Sequence, residues 1–244
     1  MKAIFLTSSP TGPLDGSRQV EGLDPMNSFR ENLRNYYKEG SRHLMITAFP
    51  DNIPASEEMT SYMAEAMKKS GFSLTAFDLL DYRNCGMSKE ELQSYDMIWL
   101  GGGHVPTQNR FFEQIGLREK LQGYHGIILG ISAGTMNASD WVYAEPEEEG
   151  EAVDPCYQRY LRGLGLTGRM FLPHYQMVRG KWLDGMRLFE DIVYPDSMGN
   201  EFINLTDGSY LLIDAEGETI YGEAWMVKDG KEYQICADRE KIHL

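Results

Sequence analysis

The chain has 244 residues, 42% of them hydrophobic, with 23 basic and 37 acidic side chains and a formal net charge of −14 at pH 7. That length can bury a full-sized core, and the acidic balance argues against nucleic-acid backbones and anionic membrane surfaces as partners. No stretch reaches the ~20 apolar residues of a membrane span, and Met1-Lys2-Ala3-Ile4-Phe5-Leu6 turns polar too soon for a signal peptide, so a cytoplasmic protein is expected.

Apolar runs of strand length alternate with longer amphipathic ones. Residues 3–7 read as a buried strand and are followed by a polar, Gly- and Pro-containing loop over 8–24. Strands are expected at 44–49 and 73–77, with a helix at 56–70 between them, where Ser56 is a candidate N-cap behind Pro54 and Gly71 is the stop. Residues 97–100 and 127–131 read as further buried strands flanking a helix at 108–122. This β-α-β-α order predicts parallel strands with helices on both faces of the sheet. The acidic run Glu145-Pro146-Glu147-Glu148-Glu149-Gly150-Glu151 reads as a solvated loop, and 182–192 as an amphipathic helix. Beyond residue 200, strands at 202–205, 210–213, 219–226 and 231–235 are separated by Asp207-Gly208, Glu216-Gly217 and Asp229-Gly230, which predicts an antiparallel extension. Cys85, Cys156 and Cys236 are odd in number and widely spaced, so they read as packing thiols, with no disulfide framework and no zinc site.

Gly130-Ile131-Ser132-Ala133-Gly134 is a G-x-S-x-G directly behind an apolar strand. On such a strand-to-helix turn the serine Oγ stands exposed above the sheet and the next N–H points at the same space. Met97-Ile98-Trp99-Leu100 runs into Gly101-Gly102-Gly103-His104, where the lack of side chains lets backbone N–H groups come close to a ligand. Gly102 or Gly103 with Ala133 are therefore candidate halves of an oxyanion hole, and His104 a candidate pocket or substrate contact.

A serine hydroxyl needs a general base, and histidine suits neutral pH. Among His43, His104, His125, His174 and His243, His174 follows the strand-like Arg169-Met170-Phe171-Leu172-Pro173 and is favoured by that position. Asp207 is a candidate carboxylate to orient it, although Asp-Gly is also a common turn pair. A rival set, Ser132, Asp214 and His243, follows the α/β-hydrolase order, but His243 sits in a charged tail.

The ordered combination of Gly101-Gly102-Gly103, Gly130-Ile131-Ser132-Ala133-Gly134, Gly163-Leu164-Gly165-Leu166 leading to Pro173-His174-Tyr175, and Leu205-Thr206-Asp207-Gly208 resembles the peptidase E family of serine dipeptidases. That group includes cyanophycinases and shares the fold of class I glutamine amidotransferases. The resemblance spans about residues 97–213 and implies one domain over 1–244, a three-layer α/β/α sandwich with a mostly parallel sheet. It implies Ser132 as nucleophile, where amidotransferases carry cysteine, His174 as base, and no metal or cofactor. Family members use a basic residue to read an aspartyl carboxylate, a role for which Arg187 or Arg179 is the positional candidate. Two departures stand out: His104 occupies a place where peptidase E has asparagine, and the acid partner is either Asp207 or a carboxylate within 145–154. The expected function is hydrolysis of short peptides, aspartyl dipeptides or isopeptides among them, by a monomer or homodimer. A serine esterase or amidase, or an anion-binding module without turnover, are the alternatives.

Overall fold

A computed structural model describes residues 2–12 and 21–244. In chain order the elements are β1 (Ala3–Thr7), α1 (Phe29–Tyr36), β2 (Ser41–Ile46), α2 (Ile53–Lys69), β3 (Leu74–Leu80), α3 (Lys89–Gln93), β4 (Met97–Leu100), α4 (Val105–Gln114), α5 (Leu117–Lys120), β5 (Ile127–Ile131) and α6 (Ala133–Asn137). They continue through β6 (Trp141–Tyr143), β7 (Tyr160–Arg162), β8 (Met170–Leu172), α7 (Tyr175–Val178), β9 (Trp182–Leu183), β10 (Met186–Arg187), a π-helix (Leu188–Val193) and α8 (Tyr194–Asp196). The last strands are β11 (Glu201–Leu205), β12 (Tyr210–Asp214), β13 (Gly217–Tyr221), β14 (Ala224–Lys228), β15 (Lys231–Cys236) and β16 (Lys241–His243).

The main sheet has eight strands in the order β16-β13-β12-β1-β5-β4-β2-β3. From β1 to β3 every neighbouring pair is parallel, and β12, β13 and β16 extend the β1 edge antiparallel. A strand covered on both faces reads as a near-continuous apolar run, and β1, β4 and β5 are buried along their whole length, with Thr7 their one polar side chain. Alternate side chains divide between two cores. Ile4, Leu6, Ile98, Leu100 and Ile128 face a core closed by Phe111 of α4, Met136 of α6 and Phe189 of the π-helix. Phe5, Met97, Trp99, Ile127 and Leu129 face the other, closed by Phe29 and Leu33 of α1 and Met63 and Met67 of α2. A second sheet has the order β15-β14-β11-β8, with β8 and β11 parallel, and β6-β7 and β9-β10 form two separate two-stranded ribbons.

Several local expectations are corrected. α2 starts earlier than residue 56: Asn52 caps it by accepting from the Ala55 N–H at 3.2 Å, Pro54 lies in the first turn, and the buried Ser56 hydroxyl instead bonds the Phe49 carbonyl at 2.9 Å. The expected helix over 108–122 is two, broken by Gly116 at φ +62°. Residues 182–192 are not one helix. Asp184 and Gly185 both take positive φ, as a two-residue hairpin turn requires, so β9 and β10 pair before the π-helix begins. The expected strand over 219–226 divides at Gly222, φ +87°, into β13 of the main sheet and β14 of the second. Asp207-Gly208 therefore links two sheets, whereas Glu216-Gly217 and Asp229-Gly230 do close hairpins. Cys156 is exposed and packs no core, while Cys85 is half-buried and Cys236 buried. The acidic run is solvated only in part: Glu145 is buried, and burial with the nearby Glu147 charge holds its carboxyl well above the usual range. The expected loop over 8–24 falls partly on residues 13–20, outside the described residues, and Ser8 and Ser9 before them are buried. Among the described residues no helix is long and apolar enough to cross a membrane.

His43 of β2 is fully buried, accepting from Trp99 Nε1–H at Nδ1 (3.3 Å) with Nε2 at 2.9 Å from Ser41 Oγ. Protonation would set two N–H donors against each other, and burial pushes the imidazole down to about 4. Between that value and the ordinary 6.5 the unfolded chain binds the extra proton, so His43 stabilises fully above pH 6.5 and its contribution is lost as pH falls toward 4, by about 3 kcal/mol. Glu147, raised to about 7 by burial and Glu151, acts in the opposite sense. The measurement is therefore a difference: in urea unfolding at pH 7.5, 6 and 4.5, the stability gap between wild type and His43→Asn should narrow with falling pH, and a constant gap would refute the assignment.

Candidate active site

The Ser132 turn is built by close approach. Ser132, between β5 and α6, has φ +48° and ψ −110°, a conformation costly for a residue with a Cβ. Its neighbours hold it there. A Cβ on Gly134 would fall 2.1 Å from the Leu100 carbonyl oxygen of β4, and one on Gly130 would fall 2.9 Å from Thr135 Oγ1, so both glycines are required by packing. Thr135 Oγ1 donates to the Thr7 carbonyl at 2.7 Å, Thr7 Oγ1 donates to the Gly130 carbonyl at 2.7 Å, and Ser132 N–H donates to the Thr7 carbonyl at 3.1 Å. The turn is thereby tied to β1 on one side and β4 on the other.

Gly102 follows β4 and lies across from the serine: a Cβ there would sit 3.4 Å from Ser132 Cβ. Gly103, φ +150°, passes so close to Ala48 and Phe49 that a Cβ would meet both at 2.7 Å. Ala133 opens α6, so its N–H is one of the first-turn donors without a helical acceptor.

The histidine and the acid come from the second sheet. His174 follows β8 and Asp207 follows β11, and these neighbouring parallel strands pair Leu172 with Asn204. His174 Nε2 is 2.9 Å from Ser132 Oγ, and its Nδ1 is 2.7 Å from Asp207 Oδ1. His174 adopts φ +57° at the start of α7. Its backbone N–H donates to Ser8 Oγ at 2.8 Å, while Ser8 Oγ–H donates to Asp207 Oδ1 at 2.6 Å. Gln176 completes the shell, with Nε2 donating to Asp207 Oδ2 at 2.5 Å and Oε1 accepting from the Asp207 N–H at 3.1 Å. The Asp207 side chain has no exposed surface. Burial works to raise its pKa, but the hydrogen bond and charge of His174, with the bonds from Ser8 and Gln176, outweigh burial and hold the carboxyl below its ordinary value. Ser8 and Gln176 escape a reading by motif, because a lone serine after a strand and a glutamine in a short helix carry no spacing signal.

The other candidates lie elsewhere. His104 Nε2 is 2.8 Å from Glu151 Oε1 and its Nδ1 is 2.8 Å from Thr107 Oγ1, so the 145–154 loop supplies a carboxylate to His104 and Asp207 supplies the one beside His174. His104, Glu148 and Glu151 bring ligand atoms within 4.8 Å of one another, but Glu151 is already engaged, accepting from the Glu147 and Glu148 N–H groups at 2.8 and 3.0 Å. Arg187 is paired with Asp191 at 2.7 Å, and Arg179 with Glu190 and Glu232, each at 2.8 Å. Asp214 accepts from Tyr36 Oη at 2.5 Å and His243 lies on β16 beside Thr219, so the rival acid and histidine do not join Ser132. The Gly163-Leu164-Gly165-Leu166 motif braces the region behind α6: a Cβ on Gly163 would meet the Ser139 carbonyl at 2.2 Å, and the Leu164 and Leu166 N–H groups donate to the carbonyls of Asn137 and Ala138.

The fold is similar to the crystal structure of a peptidase from an acI-B1 Actinobacterium, with TM-score 0.65 and 16% identity over 100% of this chain and 97% of that one. It is also similar to a Listeria monocytogenes EGD-e protein assigned as a peptidase E, with TM-score 0.60 and 16% identity over 90% of this chain and 98% of that one. No curated protein matches the sequence. The model of peptidase family S51 matches residues 19–221. That match takes in the Ser132 turn, the glycine run, His174 and Asp207, and on it the chain belongs to peptidase family S51 as a serine-type peptidase of the peptidase E type.

Proposed function

We propose that the chain hydrolyses short peptides through an acyl-enzyme on Ser132, with His174 as general base and acid and Asp207 as its orienting carboxylate. The observation that carries this reading is the continuous chain Ser132 Oγ, His174 Nε2, His174 Nδ1, Asp207 Oδ1, with spacings of 2.9 and 2.7 Å. An ionised Asp207 takes the Nδ1–H and leaves Nε2 as the acceptor for the serine proton. Ser132 Oγ then attacks the scissile carbonyl while Nε2 takes the proton, and the carbonyl oxygen becomes an oxyanion. The N–H groups of Ala133 and of Gly102 or Gly103 are the proposed donors to it. Collapse of the tetrahedral intermediate breaks the C–N bond, and the Nε2 proton goes to the leaving amine. Water, deprotonated by the same nitrogen, cleaves the ester and returns Ser132 to its starting state.

The test is direct. Ser132→Ala should retain the wild-type far-UV spectrum and unfolding midpoint, because it removes one hydroxyl from a turn held by backbone and glycine packing. It should also lose both peptide turnover and labelling by a fluorophosphonate probe. Residual turnover in a clean preparation would overturn the assignment.

The base and its acid have separate expected signatures. His174→Ala should lower kcat on the order of 10³-fold or more. Asp207→Asn should lower it by roughly 10⁴-fold, because an amide no longer enforces the tautomer with Nε2 unprotonated. Steady-state kinetics on both variants at pH 8 checks this, and an undiminished Asp207→Asn rate would move the acid elsewhere.

A further inference from the structure

Two polar side chains beside Asp207, Ser8 and Gln176, have their orientation set by the backbone. A backbone N–H can only donate. Ser8 Oγ accepts from the His174 N–H at 2.8 Å, so its own proton must point elsewhere, and Asp207 Oδ1 stands 2.6 Å away to receive it. Gln176 Oε1 accepts from the Asp207 N–H at 3.1 Å, which turns Nε2 toward Asp207 Oδ2 at 2.5 Å. The opposite flip of that amide would set N–H against N–H and oxygen against oxygen. With His174 Nδ1 2.7 Å from Oδ1, the carboxylate faces three donors. A proton placed on Asp207 would meet one of them head-on, so the group is held as an anion and Nδ1 keeps its hydrogen. The like charge on the far side of this turn is Asp24, whose Oδ2 lies 2.8 Å from where a Gly208 Cβ would stand and whose Oδ1 accepts from the Met26 N–H at 2.8 Å.

We infer that Ser8 and Gln176 are positioning residues for the hydrolysis: they turn the Asp207 carboxylate toward His174, keep it ionised, and so fix which imidazole nitrogen is free to take the Ser132 proton. The inference rests on the reading of Ser132, His174 and Asp207 as nucleophile, base and acid. Both residues act through Asp207. Ser8 also holds the His174 backbone, which takes φ +57°, a conformation that persists only where its surroundings fix it. The two differ in what can replace them. Ser8 is fully buried at the end of β1, so losing its hydroxyl leaves the His174 N–H and Asp207 Oδ1 each short of a partner. Gln176 is exposed on α7, where a change of side chain is tolerated by the fold and is felt chiefly at Oδ2.

The experiment follows the rate of Ser132 labelling by a fluorophosphonate from pH 6 to 9 in wild type, Ser8→Ala and Gln176→Glu, with far-UV spectra and unfolding midpoints to establish folding. This readout needs no choice of peptide substrate. In Ser8→Ala the donor to Oδ1 is gone and Asp207 gives more of its charge to the imidazolium. The pH midpoint at which labelling rises should therefore move up by about half a unit or more, and the plateau rate should fall about tenfold. Lost packing alone would lower the rate without moving the midpoint. In Gln176→Glu an oxygen takes the place of Nε2 beside Oδ2. At pH 6 the two carboxyl groups share a proton that stands in for the amide donor, and as pH rises that proton leaves and repulsion turns Asp207 out of line with Nδ1. The ratio of variant to wild-type labelling rate should thus fall at least about tenfold between pH 6 and pH 9. Should Ser8→Ala fail to fold, the exposed Gln176→Glu variant carries the test. An unmoved midpoint in folded Ser8→Ala, or a constant ratio in Gln176→Glu, would overturn the positioning role and leave the nucleophile standing. Absence of labelling at Ser132 in the wild-type chain would overturn the nucleophile, and this inference with it.

Discussion

The site depends on one backbone constraint, the left-handed turn at Ser132. A serine at φ +48° is unfavourable by itself, so the surroundings must over-determine it. They do so by contact: Gly134 presses on the Leu100 carbonyl, Gly130 on Thr135, and the Thr7 and Thr135 hydroxyls cross-link the turn to β1. The strained residue thus rests on three adjacent parallel strands buried on both faces. Moving any of those strands would move Oγ.

His174 and Asp207 reach that turn from a different sheet. His174 and Asp207 leave the ends of β8 and β11, which are paired in parallel, so their mutual distance is fixed by sheet register. The distance from His174 to Ser132 is fixed by how the two sheets pack. Ser8 spans this junction. It leaves the end of β1, whose Thr7 is in register with Ile131, and bonds both the His174 backbone and the Asp207 carboxylate. One hydroxyl therefore couples His174 and Asp207 to the sheet that carries Ser132, and both residues follow on paired strands.

Charge is handled locally. The net −14 says little about the site, because the Asp207 carboxylate is buried under His174, Ser8 and Gln176, and the acidic run engages His104 through Glu151 on the far side of the glycine loop. Two basic side chains that a motif reading offers as substrate contacts are held by acidic partners, Arg187 by Asp191 and Arg179, whose guanidinium lies over the Phe189 ring, by Glu190 and Glu232. Position after a motif indicates a neighbourhood. It does not show which charges in that neighbourhood are already satisfied.

By itself the sequence determined the parts whose cause is local. Near-continuous apolar runs marked β1, β4 and β5 to the residue, because a strand buried on both faces is apolar almost throughout, Thr7 at the end of β1 being the hydrogen-bonded exception. The G-x-S-x-G and G-G-G stretches marked the Ser132 turn and the loop across from it, because a Cβ at Gly103, Gly130 or Gly134 would fall within 3.0 Å of a neighbour. Tertiary structure alone decided which carboxylate meets His174, since Asp207 and the 145–154 loop are equivalent as residue types and differ only in which sheet edge delivers them. It likewise decided that residues 182–192 form a hairpin and a π-helix, where burial of Leu188, Phe189, Ile192 and Val193 against the core overrides the helical spacing. Ser8 and Gln176 are further cases. They come together across separations of up to 199 residues in sequence, and pairing at that range is set by the packing of two sheets, which no local pattern encodes.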